Sequence, residues 1–245
     1  MESFRVLKYD SLESTNKYCE VLDLSQVEDF SCFWALEQTS GVGQRGNHWT
    51  SAAGENLTFS LVLHPSFLPA EKQFKLTEAL SLALTDFLSP FIQQQSVQIK
   101  WPNDIYVKGC KICGTLVSCR IAGNTISSAI CGIGLNINQQ VFPEWVPNPT
   151  SLSLLTGERY ELEPLLLSLL EACRRRYLAL RCGEDPELEY LQHLLNMNNA
   201  ARYIYQGQQI TATITGVDCH GHLFLRADDG RQLCCAMKEI TYCFQ

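Results

Sequence analysis

From residue 97 to residue 137 the chain reads as a meander, and no other stretch constrains the fold as strongly. Val97-Gln98-Ile99-Lys100 alternates apolar and polar residues. Ile105 to Val107 turns at Lys108-Gly109 into Ile112 to Ile121, which turns at Gly123-Asn124 into Thr125 to Ile137. Alternation at a period of two marks strands, and Lys-Gly and Gly-Asn connections between such runs mark antiparallel hairpins. Pro102-Asn103-Asp104 is turn chemistry, because proline presets φ and Asn and Asp tolerate the tight positions that follow. No regular strand–helix–strand rhythm is present, which argues against a doubly wound parallel sheet.

Around the meander the pattern is mixed. Phe4 to Tyr9 reads as a strand, and Ser14-Thr15-Asn16 as the cap of a short helix over Lys17 to Leu22. Ser31 to Gln38 and Leu57 to Leu63 read as further strands. An amphipathic helix is expected from Ala70 to Ile92, with Leu76, Leu80, Leu84 and Phe87 on a face that packs as core. Helices follow over Leu162 to Cys182 and Pro186 to Met197, and Arg174-Arg175-Arg176 reads as a solvated face of the first. From about residue 200, short β runs punctuated by Gln206-Gly207, His220-Gly221 and Asp228-Asp229-Gly230 suggest a small barrel-like module. The expected division is 1–197 and 198–245.

Composition narrows the partners. The 245 residues carry 19 Lys+Arg against 26 Asp+Glu, a net charge of −7 that argues against a general nucleic-acid binder. No apolar run approaches the roughly 18 residues of a spanning helix, and the N-terminus lacks the apolar core of a signal peptide. A cytoplasmic protein without membrane partners is expected. Twelve scattered cysteines in such a chain read as small buried hydrophobes. Cys110-x-x-Cys113 is the one close CxxC pair, and the second knuckle of a zinc site is missing, so no metal-ligand set is assigned.

Two stretches carry chemistry. Lys100 and Trp101 stand at a strand end, where an ammonium and an aromatic face can be aimed into a cleft. Gly41-Val42-Gly43-Gln44-Arg45-Gly46 is a loop whose backbone N–H groups can approach an anion. A phosphate loop, a placed lysine and a flat aromatic surface suit a nucleotide-activating site.

These stretches fall among six ordered motifs: Glu13-Ser14-Thr15-Asn16; Gln38 with the glycine loop through Trp49; Gly54-Glu55-Asn56-Leu57; Lys100-Trp101-Pro102-Asn103-Asp104; Lys111-Ile112-Cys113-Gly114-Thr115-Leu116-Val117; and Gly132-Ile133-Gly134-Leu135-Asn136-Ile137-Asn138. In this order they resemble the biotin protein ligases. The resemblance implies an α+β fold: a class II synthetase-like catalytic domain with a mixed, largely antiparallel sheet and flanking helices, followed by a small SH3-like β-barrel. It implies ATP and biotin as substrates, Mg2+ as a helper, biotinyl-5′-AMP as intermediate and a biotin carboxyl carrier protein domain as partner, with the enzyme a monomer or homodimer.

Roles follow the matched motifs. Ser14, Thr15, Asn16 and Gln38 fall where the family holds biotin's polar head, and amide side chains suit it because each offers donor and acceptor. Gly43, Gln44 and Gly46 belong to a loop that closes over biotin and phosphate. Gly114, Gly132 and Gly134 border the biotin ring, the last two by letting backbone approach it. Trp49 matches a tryptophan that lies against adenine, with Asn56 and Asn136 also on the nucleotide side. Lys100, Lys111 and Arg45 are the expected catalytic cations, Lys100 and Lys111 nearest the reacting carboxylate and α-phosphate, with Lys100 also counted among the biotin-binding residues. Asn103 and Asp104 either orient Lys100 or help hold the metal, Asn103 on the nucleotide side.

Two departures stand out. Many family members carry arginine at the positions of Val42 and Gln44, whereas Arg45 is the arginine of this loop. Cationic help to the phosphate therefore comes from Arg45 or a lysine, or is partly replaced by Gln44 N–H donation. The matched region begins within about ten residues of Met1, which leaves no room for the DNA-binding domain of ligases that also repress transcription. The rival readings are a lipoate-type protein ligase or octanoyl transferase, which share the fold, and a non-catalytic biotin-binding protein.

Overall fold

In the computed structural model, residues 4–92 and 96–244 are described, Arg45 by its backbone alone. The chain opens with β1 (Val6–Leu12), α1 (Thr15–Glu20), β2 (Ser31–Gln38) and β3 (Leu57–Leu63). After α2 (Phe74–Leu88) come β4 (Val97–Lys100), β5 (Asp104–Val107), β6 (Cys110–Ala122) and β7 (Thr125–Leu135). These strands form one seven-stranded sheet in the order β1-β2-β3-β7-β6-β5-β4. β1 and β2 run parallel, and the other neighbours are antiparallel. The meander is β4 to β7, folded at Lys108-Gly109 and Gly123, where positive φ satisfies the tight hairpins.

Helices α3 (Leu152–Thr156), α4 (Leu162–Arg181) and α5 (Glu187–His193) follow. α2 lies against α4, and both bury apolar side chains in the core shared with the sheet. The helix expected over 70–92 is α-helical only from Phe74 to Leu88, with single 3-10 turns at Ala70–Lys72 and Ser89–Phe91. Pro90 has no N–H for the α-helical ladder and ends it there. α1 is correctly anticipated, but Ser14 is extended and makes no side-chain capping bond.

The last five strands, β8 (Ala200–Tyr205), β9 (Gln208–Val217), β10 (Leu223–Ala227), β11 (Gln232–Cys235) and β12 (Ile240–Tyr242), form an antiparallel sheet. Its order β11-β10-β9-β8-β12 leaves two edges, so the described pairings make an open sheet rather than a closed barrel. Its inward residues, among them Ile214, Leu223 and Leu225, join the core cluster of the first sheet.

Arg176 corrects the reading of the triple arginine as a solvated face. Its guanidinium bridges α2 and α5, donating to Asp86 at 2.7 and 2.8 Å and to Glu189 at 2.6 Å twice. Near the start of α2, Lys75, itself buried, reaches Glu78 at 3.2 Å, Asp185 at 2.8 Å and Glu187 at 2.9 Å. Cys19, Cys32, Cys113, Cys131, Cys173 and Cys235 are buried as expected of small hydrophobes, whereas Cys182, Cys219 and Cys234 are exposed.

Candidate active site

A cleft of about 540 Å3 opens where the ends of β4 to β7, the N-terminus of α1 and the glycine loop meet the second sheet. Its polar wall is built by α1. Gln38 Oε1 accepts from Thr15 N–H at 2.8 Å and Thr15 Oγ1 at 3.2 Å. Ser60 Oγ on β3 lies 2.6 Å from Asn16 Oδ1 and 2.8 Å from Thr15 Oγ1. These contacts fix the amide orientations before any ligand arrives, because Asn16 Oδ1 is held as acceptor and its Nδ2 turns toward Leu116 O at 3.4 Å. Ser60 is a positioning residue that the sequence motifs do not contain. It inserts between Thr15 and Asn16 only because β3 pairs with β7 beneath α1.

Gly132 and Gly134 are required by close approach of side chains. A Cβ at Gly132 would run into the Asn16 amide, and one at Gly134 into the Trp49 indole. Both glycines line the cleft, and their missing side chains leave room for Asn16 and Trp49 beside it. Gly114 on β6 is less crowded, since a Cβ would lie 3.2 Å from Asp104 Oδ1 and 3.3 Å from Lys111 Nζ, contacts that a small shift of those side chains would relieve.

The two lysines differ in their surroundings. Lys111 Nζ pairs with Asp104 Oδ1 at 2.7 Å and stands 5.7 Å from the Trp49 ring centroid. A bulge in the β5–β6 ladder makes this possible: Tyr106 faces Lys111 while Ile105 faces Cys113, so Lys111 is re-aimed along the strand toward Asp104. Its backbone is pinned by Lys111 N–H to Asn148 O at 2.7 Å and Thr150 N–H to Lys111 O at 2.9 Å. Lys100 makes no ion pair among the described residues. Its ammonium lies 5.2 Å from the Tyr242 ring centroid and 5.7 Å from that of Tyr106. Burial pushes Lys100 below the ordinary lysine value, Asp104 opposes that shift, and the charge of Lys111 adds to it.

The turn after Lys100 is gripped from both sides. Tyr190 Oη on α5 donates to Pro102 O at 2.8 Å, and Leu195 N–H donates to Ile99 O at 2.8 Å. Trp101, expected to face the cleft, lines it while remaining largely buried, and its indole N–H donates to Gly221 O in the turn between β9 and β10 at 3.1 Å. Asn103 donates its amide to Thr115 O, which ties the turn to β6.

The glycine loop is a small closed structure. Val42 bridges His48, Gly43 N–H donates to Asn47 O at 2.6 Å, and Trp49 N–H donates to Gly41 O at 3.0 Å. A Cβ at Gly41 would strike Trp49 O, which explains glycine there. Gln44 lines the cleft and its amide reaches Met237 Sδ at 2.9 Å. Gly46, with φ +83, lies outside the lining, and the Arg45 side chain lies outside the described residues.

Asn56 and Asn136 stand apart from the cleft. Asn56 is buried, donating to Gln139 Oε1 at 2.6 Å and Ser51 Oγ at 2.9 Å and accepting from Ile137 N–H at 2.8 Å. Asn136 donates to Thr150 O at 2.9 Å. Both amides satisfy buried backbone and side-chain groups, and neither residue is in the cleft lining. Ser14, Thr15, Asn16, Gln38, Gly43, Gln44, Trp49, Lys100, Asn103, Lys111, Gly114, Gly132 and Gly134 do converge on the cleft. So do Met237, Lys238 and Tyr242, which the motifs do not include. Among the described residues no cluster of three His, Cys, Asp or Glu side chains is placed to hold a metal ion, and Asp104 is the one carboxylate in the lining.

Residues 9–136 match the model of the Biotin/lipoate A/B protein ligase family. The chain is 29% identical over 230 residues to the bifunctional ligase/repressor BirA of Bacillus subtilis, covering 92% of this chain and 70% of that one. It is 31% identical over 222 residues to a biotin–[acetyl-CoA-carboxylase] ligase of Paracoccus denitrificans, covering 82% and 86%. In fold it resembles the biotin protein ligase from Aquifex aeolicus solved with biotin and ATP, with a TM-score of 0.78 at 22% identity over 97% of each chain. The Leishmania major ligase solved with biotinyl-5-AMP is similar at a TM-score of 0.63 and 21% identity, covering 95% of this chain and 98% of that one.

Proposed function

The chain belongs to the Biotin/lipoate A/B protein ligase family, and from that premise we propose that it activates biotin with ATP and transfers the biotinyl group to a lysine of a carrier domain of a biotin-dependent carboxylase. The observation that carries this reading is the convergence of Lys100 and Lys111 on the cleft whose other wall is the preset Thr15–Asn16–Gln38 nest.

In the first step a biotin carboxylate oxygen attacks the α-phosphorus of ATP, the bond to the bridging oxygen breaks, and pyrophosphate leaves. Negative charge grows on the phosphoryl oxygens, and a fixed ammonium in a half-buried cleft stabilises it far better than water would. Lys100, which makes no ion pair among the described residues, is a cation available to that charge; Lys111, paired with Asp104, orients the carboxylate or α-phosphate beside it. In the second step the neutral ε-amine of the acceptor lysine attacks the acyl carbon. The C–O bond to phosphate breaks, AMP leaves, and the nitrogen releases one proton as the amide forms.

Ser14, Thr15, Asn16 and Gln38 hold the polar head of biotin, with Gly132 and Gly134 leaving room for Asn16 and Trp49. Trp49 supplies the face on which adenine stacks, a contact worth roughly 1–3 kcal/mol per base. Gln44 and Arg45 belong to the loop over the intermediate. Mg2+ would enter with the triphosphate, held mainly by phosphate oxygens, because Asp104 alone cannot make a protein cage for it. When bound it neutralises the phosphate charge. The work divides near residue 198, the first part carrying the chemistry and the second completing one wall of the cleft.

The test is exchange of labelled pyrophosphate into ATP. Exchange that depends on biotin and is not supported by lipoate or octanoate is expected. Exchange driven by lipoate instead, or none with any acid, would overturn the reading.

A further inference from the structure

The second sheet does more at the cleft than close a wall. Tyr242, on its edge strand β12, is 7% exposed, and the face of its ring stands 5.2 Å from Lys100 Nζ. Tyr106 of the first sheet flanks the same ammonium at 5.7 Å. The two rings are themselves braced: Phe244 stacks on Tyr106 with centroids 5.3 Å apart and planes 4° from parallel, and Tyr203 meets Tyr242 edge-on at 5.1 Å. The nearby carboxylate of Asp104 is already engaged by Lys111 at 2.7 Å.

A lysine can be held in a cleft in two ways. A carboxylate partner fixes it but cancels its charge, so that an incoming anion must compete for it. An aromatic face fixes it through the ring quadrupole, which carries no net charge, and the full positive charge stays available to the ligand. Lys111, although the Trp49 ring is 5.7 Å away, is held by a carboxylate, whereas the contacts of the Lys100 ammonium among the described residues are with rings and include no ion pair.

We propose that Tyr242 is a positioning residue for Lys100, holding its ammonium by the ring face so that an uncancelled charge meets the reacting carboxylate and α-phosphate. This rests on the activity proposed above. Tyr242 does not touch the reacting atoms. Its contribution passes through Lys100, and the second sheet thereby acts on adenylate formation and not on biotin recognition, which lies on the opposite wall at Thr15, Asn16 and Gln38. No sequence motif points to it, since 142 positions separate the two residues.

The experiment replaces Tyr242 by Leu and by Phe, and Lys100 by Met, alone and together with Tyr242→Leu. Adenylate formation is followed in single turnover and biotin affinity by calorimetry. Tyr242→Leu is expected to slow adenylate formation about tenfold, the scale of a partly desolvated cation–π contact, while biotin affinity changes less than twofold. Tyr242→Phe should recover most of that loss. In the Lys100→Met background, Tyr242→Leu should cost little more, because the contact it removes is already gone. Fully additive losses, or a Tyr242→Phe variant as slow as Tyr242→Leu, would overturn the role. Should Tyr242→Leu fail to fold, a series of increasingly fluorinated phenylalanines at 242 keeps the ring's shape while weakening its negative face. The rate should fall stepwise along that series, and a flat series would overturn the proposal. If the unaltered protein shows no biotin-dependent exchange, the activity itself fails. Normal exchange with a flat series rejects Tyr242 alone.

Discussion

Lys111 and Asp104 meet at 2.7 Å although their backbones are not opposite one another: Asp104 faces Gly114 across the β5–β6 ladder, and Lys111 faces Tyr106. The pair exists because β6 bulges, and it engages Asp104, the one carboxylate in the described lining, while Lys100 makes no ion pair among the described residues.

Removing either ammonium should be costly. Lys111→Ala and Lys100→Ala are each expected to slow adenylate formation by about two orders of magnitude, as loss of a preorganised charge contact does. Single-turnover measurement of biotinyl-AMP checks this, and near-normal rates in both variants would reject the assignment.

Gly132→Ala and Gly134→Ala separate the two halves of the cleft. The first methyl displaces the Asn16 amide and the second the Trp49 indole. Overpacking of this kind costs about 1–3 kcal/mol. Gly132→Ala should therefore weaken biotin binding about tenfold or more, and Gly134→Ala should act mainly on ATP. Calorimetric titration of each variant with each ligand tests the split. Equal effects of both glycines on both ligands would contradict it.

The loop should control retention of the intermediate. A charge-assisted contact to phosphate is roughly twice as strong as a neutral one. Arg45→Ala is thus expected to leak adenylate and label a bystander protein, with Gln44→Ala milder and Gln44→Arg active. Stronger bystander labelling by Gln44→Ala would place the hold on Gln44, whose amide reaches Met237 from the second sheet.

Glu78 makes stability depend on pH. Burial pushes its carboxyl up from 4.5 to about 7, with Lys75 opposing and the Glu187 and Asp185 charges adding. A carboxyl whose folded value exceeds its unfolded one binds more protons when folded between those two values, so stability falls as pH rises from about 4.5 to about 7 and stays lower above. Glu78→Gln cannot ionise, and Lys75 keeps Asp185 and Glu187. At pH 8 the variant is expected to gain about 1–3 kcal/mol over the unaltered protein relative to their difference at pH 5. Denaturant melts at the two pH values measure the change. A constant gap would show that Glu78 ionises normally.

Much of the frame was legible in the chain because local rules decide it. β2, β3 and β4 have the bounds that alternation and turn residues predict, and both meander turns sit where Lys108-Gly109 and Gly123 put them. What failed was tertiary. Arg176 reads as one of three surface arginines until α2 and α5 bring Asp86 and Glu189 to it. That the Asn56 and Asn136 amides bond Ile137 N–H and Thr150 O is likewise set by strand geometry that no motif spells out. Tyr242 and Met237 carry no local mark, because their place at the cleft depends on the second sheet docking against the turn after Lys100. The small β module after residue 200 was legible from its strand rhythm; the order of its five strands depends on pairing that spacing alone does not determine.

The turn at Gly221 has a consequence for how such a protein can change. Its φ is +84, a Cβ there would strike the Phe74 ring, and its carbonyl receives the Trp101 indole N–H. Three residues from three parts of the chain thus share one small volume. A second sheet taken from another protein could not simply be exchanged for this one: unless it brought a glycine turn and a carbonyl to the same spot, Trp101 would lose its acceptor beside the reactive lysine. Substitutions at 74, 101 and 221 are therefore tolerable only in matched sets, and the two sheets must diversify as a single heritable unit.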